Sequence, residues 1–257
     1  MGEKAKIMFK KNHLYQMAFF LLIVSILVWG QINTSGPKTN PKQIELNVSK
    51  RSPKTYEIIK KSYLNKGTKI DFPQIAALRN GKKERSINTQ IKNEALKIRN
   101  YYEGIKNDLT LEVSYKITLK NEYLLSIQYY GIGYVKNAAY PNNIFFTTNL
   151  NIREGNRLRL KELINIDQNI IAKIRNGKFK ALNPDQNRVL KGFTDDELII
   201  KLNQADSLDQ IENHGTFSYL TKNSLGISFS VIHALGDHAE FEIKYRDLKN
   251  NLKIDLR

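Results

Sequence analysis

The chain of 257 residues contains no cysteine, one tryptophan and six prolines. Without cysteine it can form no disulfide, no thiolate metal site and no thiol nucleophile. The phosphate-binding loop, the dinucleotide fingerprint, the nucleophile elbow and the zinc-protease helix motif are missing from the sequence as well. The sequence therefore predicts no enzyme of these classes, and it indicates neither a cofactor nor a metal centre.

One long apolar run, from Leu14 to Gly30 (residues 14–30), follows a basic leader at residues 1–13. A spanning helix needs about 20 apolar residues, with about 17 as the lower limit, whereas a signal-peptide core has about 7–15. Tyr15 and Trp29 suit the two interfaces of a short span. We expect an uncleaved single-pass anchor in the cytoplasmic membrane, with a cleaved signal segment and secretion as the alternative. The leader lysines place residues 1–13 in the cytoplasm and the body outside.

The body is strongly basic, since 41 Lys and Arg stand against 25 Asp and Glu, a net charge of +16. Such a surface favours anionic partners. For an extracytoplasmic domain these are anionic lipid or acidic wall polymers, and we expect no nucleic acid. A solvated, lysine-rich surface without a specific partner explains the same charge.

The pattern along the body predicts an α+β fold. Residues 31–43, rich in Gly, Pro, Asn and Thr, are a predicted linker. Alternating residues from Ile44 to Val48 predict a first strand, and Pro73 is expected to end the strand that contains Lys69–Phe72. An apolar stripe at helical spacing predicts a helix from Gly81 to Tyr102, with Ser86 as its cap.

The second half of the body predicts paired strands with helices between them. Lys120-Asn-Glu separates two long alternating segments and suits a hairpin turn. Thr194 and Glu197 form a capping box at the start of a helix. The resulting expectation is one or more largely antiparallel sheets with packed helices, preceded by one N-terminal apolar helix. We divide the body into a first half, residues 44–122, and a second half, residues 123–257.

Three short features of the sequence suggest a functional interpretation. Gly131 and Gly133 lack the third glycine of a nucleotide-binding turn and are expected to mark a strand irregularity. His233, Asp237 and His238 are suitable metal ligands, but no third distant ligand is marked, and we favour the interpretation that they are polar side chains of a turn between two strands. A cluster of tyrosines that includes Tyr130, Tyr134 and Tyr140 can stack on sugar rings or anchor a protein partner, although tyrosine is also a good strand residue.

Several segments together resemble a known extracytoplasmic module. Residues 71–78, DFPQIAAL, followed by Ile87-Asn88, resemble its "Y-P-Q-I … I-N" pattern. Residues 138–141 (AAYP), 147–152 (TTNLNI) and 160–163 (LKEL) resemble "G-A-H-P … T-x-N-x-D … L-x-D-L", and residues 217–229 with 241–248 resemble its C-terminal stretch. The resemblance rests on the order and spacing of these motifs, and it covers residues 44–252. Tyr140 departs from the usual His, Asn151 from the usual Asp, and His233 falls near a usual Tyr.

The module forms the outer part of RsiV-type anti-sigma factors, which engage lysozyme, and the N-terminal, non-catalytic part of PdaC-type peptidoglycan deacetylases. The resemblance implies an α+β domain of unknown function that binds a ligand or a partner. The deacetylase domain would follow this module, and we expect it to be absent because the chain ends at Arg257. We also expect residues 1–13 to be too short to bind a sigma factor.

These considerations predict a non-catalytic, membrane-tethered binding or sensory module. Its expected ligand is an envelope glycan, lysozyme or another envelope protein, contacted by Tyr130, Tyr134, Tyr140 and His233. Two alternatives stay open: an enzyme acting on envelope glycan through two carboxylates in a cleft, and a basic surface protein that holds anionic polymers.

Overall fold

The computed structural model describes residues 56–105, 108–208 and 215–254. The predicted leader, apolar segment, linker and first strand at residues 44–48 lie outside the described residues. Within these ranges no helix is long and apolar enough to cross a membrane.

The first half of the described chain builds a six-stranded sheet in which every neighbouring pair is antiparallel except β2 and β3. Asn121 shapes the predicted hairpin between β3 and β4, because its side-chain oxygen accepts the backbone N–H groups of Tyr123 and Leu124 at 2.8 and 2.7 Å. The strands of this first sheet, in spatial order, are β1 (Glu57–Asn65), β2 (Thr68–Ala76), β3 (Leu109–Lys120), β4 (Leu124–Val135), β5 (Asn142–Asn151) and β6 (Asn156–Leu158).

The helix α1 (Gly81–Lys97) connects β2 to β3, and a 3-10 turn at Ile98–Tyr102 continues it. Its apolar stripe is buried, as the helical spacing predicted. The expectation that Ser86 caps the helix was wrong, because Ser86 lies inside α1. Asn80 is the cap, and its side chain accepts the N–H groups of Lys82 and Lys83, both at 3.1 Å. The buried members of the stripe are Ile87, Ile91, Ala95, Ile98 and Tyr102.

A second sheet of four strands forms in the C-terminal half, with its own hydrophobic core. The predicted capping box at the start of α4 is present, since Thr194 and Glu197 bond each other's backbone N–H groups at 2.7 and 3.2 Å. The strands, in spatial order, are β7 (Lys180–Ala181), β10 (His238–Lys244), β9 (Ser224–Ser230) and β8 (Thr216–Leu220), and the helices are α2 (Leu160–Leu163), α3 (Gln168–Arg175), α4 (Asp195–Asn203) and α5 (Tyr245–Leu248).

Buried polar side chains join the two sheets. Ser126 of β4 donates to Asn149 at 2.7 Å and accepts the N–H of Leu220 at 2.9 Å. Asn149 and Thr147 of β5 both donate to the carbonyl of Ser218 in β8, at 2.9 and 2.5 Å. A hydrogen-bonded polar layer therefore separates the hydrophobic core beneath α1 from the core of the second sheet.

Asp206 is the most heavily bonded member of this layer and is 1% exposed. Its carboxylate accepts the N–H of Leu160 and the N–H and hydroxyl of Ser218 at 2.6, 2.6 and 2.7 Å. Burial raises the pKa of Asp206 to about 6, against the opposing effect of these bonds. Arg157 bonds the carbonyl of Asp206 and pairs with Glu94 of α1 at 2.9 Å, which ties the layer to the first helix.

Two further local expectations were wrong. β2 does not end at Pro73, which is paired with Lys60 of β1 within a strand that runs to Ala76. The pairing with β3 covers only residues 68–70 of β2, so on that side Pro73 has no ladder in which its missing N–H would be needed. Gly131 and Gly133 keep a regular register with β3, and the irregularity lies between Ile117 and Leu119 instead.

The architecture is α+β, with mostly antiparallel sheets and several packed helices, as the alternating patterns predicted. Strands β3 and β4, which flank the predicted boundary between residues 122 and 123, pair with each other along most of their length.

Candidate functional site

The C-terminal half of β4 exposes three large side chains in a row. Tyr130, Ile132 and Tyr134 are 48%, 49% and 39% exposed, and alternation along the strand places them on one face. The residues between them are glycines because neither position has room for a side chain. A Cβ at Gly131 would lie 2.0 Å from the Glu112 carbonyl oxygen, and one at Gly133 would lie 2.1 Å from the Tyr102 hydroxyl.

This exposed face continues across β5 to the connection between β9 and β10. Phe145 is the cross-strand partner of Tyr130, and Phe145 stacks on His238 with ring centroids 4.8 Å apart. Asn143 is the partner of Ile132, and its backbone N–H and side-chain amide donate to one oxygen of Asp237 at 2.7 and 3.1 Å. The β9–β10 connection is thereby held against the edge of β5.

Tyr140 and His233 close this end of the face. Their rings stack with centroids 3.9 Å apart and an angle of 9° between the planes. The Nδ1 atom of His233 lies 3.0 Å from both carboxylate oxygens of Asp237, a residue that is only 7% exposed. Asp237 adopts a left-handed backbone with φ of 69°, directly after Gly236 with φ of 96°, and this tight turn directs its carboxylate at His233 and Asn143.

Tyr130 and Tyr134, two of the residues predicted to contact a ligand, lie on the exposed face of β4. The other two, Tyr140 and His233, form the stacked pair that Asp237 links to Asn143, the cross-strand partner of Ile132. We call this set of residues the aromatic face. Tyr134 is near the end of β4, and the hairpin at residues 136–141 leads from it to Tyr140. Ile132 was not predicted as a contact residue, although two-residue alternation between Tyr130 and Tyr134 places it on the same face. The aromatic face consists of Tyr130, Ile132, Tyr134, Tyr140 and His233.

The two stacked residues are 93 residues apart in the sequence and in ring contact in the fold.

Charged groups border the aromatic face on the side of β2 and β3. Lys69, Asp71 and Glu112 line a shallow depression together with Tyr130 and Ile132. Asp71 pairs with Lys60 at 2.6 Å and accepts the Ser62 hydroxyl at 2.6 Å. Burial opposes ionisation of Asp71, but the bonds from Lys60 and Ser62 outweigh it and lower the pKa of this carboxyl.

A second polar group lies on β10. Glu240 accepts the side-chain amide of Gln128 at 3.1 Å, and the Tyr219 hydroxyl lies 3.5 Å from Glu242. Burial raises the pKa of Glu240, and burial lowers the pKa of His238, whose Nε2 atom is 3.8 Å from Glu240.

The candidate metal ligands of the β9–β10 connection have other partners. The carboxylate of Asp237 is occupied by His233 and Asn143, while His238 stacks on Phe145. Across the described ranges no group of three or more His, Asp and Glu side chains is placed to hold a metal ion. The turn interpretation of these residues therefore accounts for their contacts.

No protein-family profile and no curated protein matches the chain. Its fold is similar to that of a DUF3298 family protein from Pseudomonas aeruginosa PAO1, with a TM-score of 0.50 and 11% identity over 79% of this chain and 95% of that one. A DUF3298 family member from Bacteroides fragilis NCTC 9343 gives a TM-score of 0.44 and 14% identity, over 77% and 92% of the two chains. At these identities the likeness concerns the fold alone, and that fold occurs in a domain family of unknown function.

Proposed function

We propose that the chain is a non-catalytic binding or sensory module, tethered to the cytoplasmic membrane through residues 14–30 and directed to the cell envelope. The observation that carries the proposal is the aromatic face. Three large side chains at alternate positions of one strand, each more than a third exposed, are linked through Asn143 and Asp237 to a stacked Tyr–His pair. Exposed apolar patches rimmed by polar groups are typical of interaction sites, and tyrosine is enriched among residues that dominate binding energy.

The finer proposal is a role like that of the RsiV-type and PdaC-type modules. Its support is the order of the sequence motifs, together with the exposure of the positions derived from them. The ligand is then a wall glycan, lysozyme or another envelope protein.

The direct test is co-sedimentation of the full chain, held in detergent micelles, with insoluble peptidoglycan, and in parallel its capture by immobilised lysozyme. We expect retention by at least one of the two, and we expect it to persist through physiological ionic strength because contacts of uncharged rings are not screened by salt. Binding that disappears at about 0.15 M salt would instead favour a basic protein that holds anionic polymers. Retention by neither ligand at low salt would contradict the proposal.

A second candidate function, an enzyme acting on envelope glycan, is favoured by one observation. Glu240 and Glu242 lie on the same face of β10, with Cα atoms about 7 Å apart by strand geometry. Burial raises the pKa of Glu240. A carboxyl group with a raised pKa beside a second carboxyl group is the arrangement of a general acid and its partner. Release of soluble sugar from peptidoglycan by the full chain, abolished in Glu240→Gln, would establish this activity.

A further inference from the structure

The contacts of His233 define which ring nitrogen can meet a ligand. Its Nδ1 atom faces the Asp237 carboxylate, with both oxygens at 3.0 Å. A carboxylate only accepts hydrogen bonds, so the neutral imidazole carries its proton on Nδ1 and donates it to Asp237. The other nitrogen, Nε2, is then left as a hydrogen-bond acceptor. The side chain of His233 is 35% exposed, whereas that of Asp237 is 9% exposed.

Asp237 itself is held firmly in place. The backbone N–H and the side-chain amide of Asn143 both donate to its Oδ2 atom, at 2.7 and 3.1 Å. Stacking on Tyr140 fixes the plane of the imidazole from a second direction. The acceptor is therefore preorganised, and binding of a ligand includes no free-energy cost for ordering it.

Beside this acceptor stands a flat, open ring. His233 covers one side of Tyr140, and Tyr140 nevertheless keeps 51% of its surface exposed. A directed acceptor next to an open aromatic ring is complementary to a molecule with an apolar C–H face and hydroxyl groups at its edge. Sugars have this chemistry.

The charge at the site decides between classes of sugar polymer. Asp237 places a carboxylate directly behind the imidazole, and an anionic ligand group would have to approach it against Coulomb repulsion. This disfavours phosphate-rich polymers in spite of the net charge of +16 of the whole chain. A protein partner needs no isolated acceptor beside a ring.

We propose that Tyr140 and His233 form a subsite for a neutral saccharide, which stacks its C–H face on Tyr140 and donates a hydroxyl or amide hydrogen to Nε2 of His233. Asp237 is a positioning residue in this subsite, since it acts through His233. The inference rests on the proposed binding function and narrows its ligand to the uncharged sugars of an envelope glycan.

The test uses the full chain in detergent micelles and a soluble probe, the tetramer of N-acetylglucosamine, titrated by calorimetry. His233→Phe keeps a ring against Tyr140 but removes the acceptor, and we expect it to weaken binding about tenfold, the effect of one hydrogen bond of about 1.4 kcal/mol. Tyr140→Phe is the matched control, because it keeps the ring and should stay within about twofold of wild type. Thermal unfolding of each variant shows that the fold is retained.

A second measurement reports on the nitrogen itself. In ¹⁵N spectra of the imidazole we expect the Nδ1-protonated tautomer in the free protein and a change at the His233 Nε2 signal on adding the tetramer. We expect the folded Asp237→Asn variant to lose the preference of His233 for one tautomer.

Three results would overturn the inference. The first is equal affinity of wild type and His233→Phe for the tetramer, and the second is a protonated Nε2 in the free protein. The third is no binding of the tetramer by a chain that is retained by lysozyme, which would leave the proposed function standing with a protein ligand. Failure with the tetramer, peptidoglycan and lysozyme together would remove both proposals.

Discussion

Single residues of β4 determine how closely neighbouring groups can approach this strand. Gly131 is the clearest case, because the atom that a Cβ would strike is a backbone carbonyl oxygen, which cannot rotate away. The sequence showed a Gly-x-Gly pair but not its cause, since close approach of one strand to another is visible only after folding. For the same reason the cap of α1 was misplaced: Asn80 and Ser86 are both good capping residues, and backbone geometry selects Asn80.

We predict that Gly131→Ala destabilises the protein by about 1–3 kcal/mol, because the added methyl group forces β3 and β4 apart. The free energy of unfolding from urea denaturation measures this loss. Gly192→Ala is the matched control, since a Cβ there has no neighbour within 4 Å, and it should change stability by less than about 1 kcal/mol. Equal stability of the two variants would contradict the crowding that we describe.

His238 gives a prediction for the dependence on pH. Burial lowers its pKa below the usual 6.5, while Asp237 acts weakly in the opposite direction. The unfolded chain therefore takes up the proton first as the pH falls, so the stabilising contribution is complete above pH 6.5 and is lost as the pH falls through the folded pKa. An NMR titration of the His238 ring should give a midpoint below 6.5. A midpoint at or above 6.5 would show that the ring is not buried against Phe145.

At the scale of elements, local sequence patterns were sufficient to predict those helices and turns that local interactions determine. The stripe of α1, the hairpin of β3 and β4 and the capping box of α4 all follow from periodicity or from residues a few positions apart. Strand β8 was missed because all five of its residues, Thr216–Leu220, are buried, so no alternation marks it. The extent of β2 beyond Pro73 was missed because it depends on where the pairing with β3 stops.

The aromatic face was predictable in part for the same reason. Tyr130 and Tyr134 are four residues apart on one strand, and alternation places them together. The pairing of Tyr140 with His233, and the role of Asp237 beneath it, depend on two connections that meet only in the folded chain. Sequence periodicity carries no information on such a meeting.

Asn88 connects α1 to the end of β2. Asn88 accepts the N–H of Ile75 at 2.8 Å and donates to its carbonyl at 2.9 Å, so it completes the end of β2 as a neighbouring strand would. We predict that Asn88→Ala costs about 1–3 kcal/mol in the free energy of unfolding, because both groups of the buried Ile75 lose their partner. Asn93→Ala, at an exposed position of the same helix, should be neutral or slightly stabilising. A loss in Asn93→Ala as large as that in Asn88→Ala would assign the effect to the helix alone.

At the scale of the whole molecule, the two hydrophobic cores are separated by the polar layer around Asp206 and Ser218. Beyond this layer β4 continues, and there its outward side chains change from the buried Ser126 and Gln128 to the exposed Tyr130. Tyr130, Ile132 and Tyr134 lie on the part of the first sheet that the second sheet leaves open. Packing leaves these rings exposed, and we propose that the ligand covers them.

The most direct test of the central claim is calorimetric titration of the full chain with lysozyme and with soluble peptidoglycan fragments, comparing wild type with the double variant Tyr130→Ser, Tyr134→Ser. We predict a loss of affinity of about tenfold or more for the ligand that wild type binds, because exposed tyrosines are typical anchors of binding energy. Ile200→Ser, which removes an apolar side chain of similar exposure, 54%, from α4, should bind as wild type does. Unchanged affinity of the double variant, with its fold retained, would contradict the claim that this face binds the ligand.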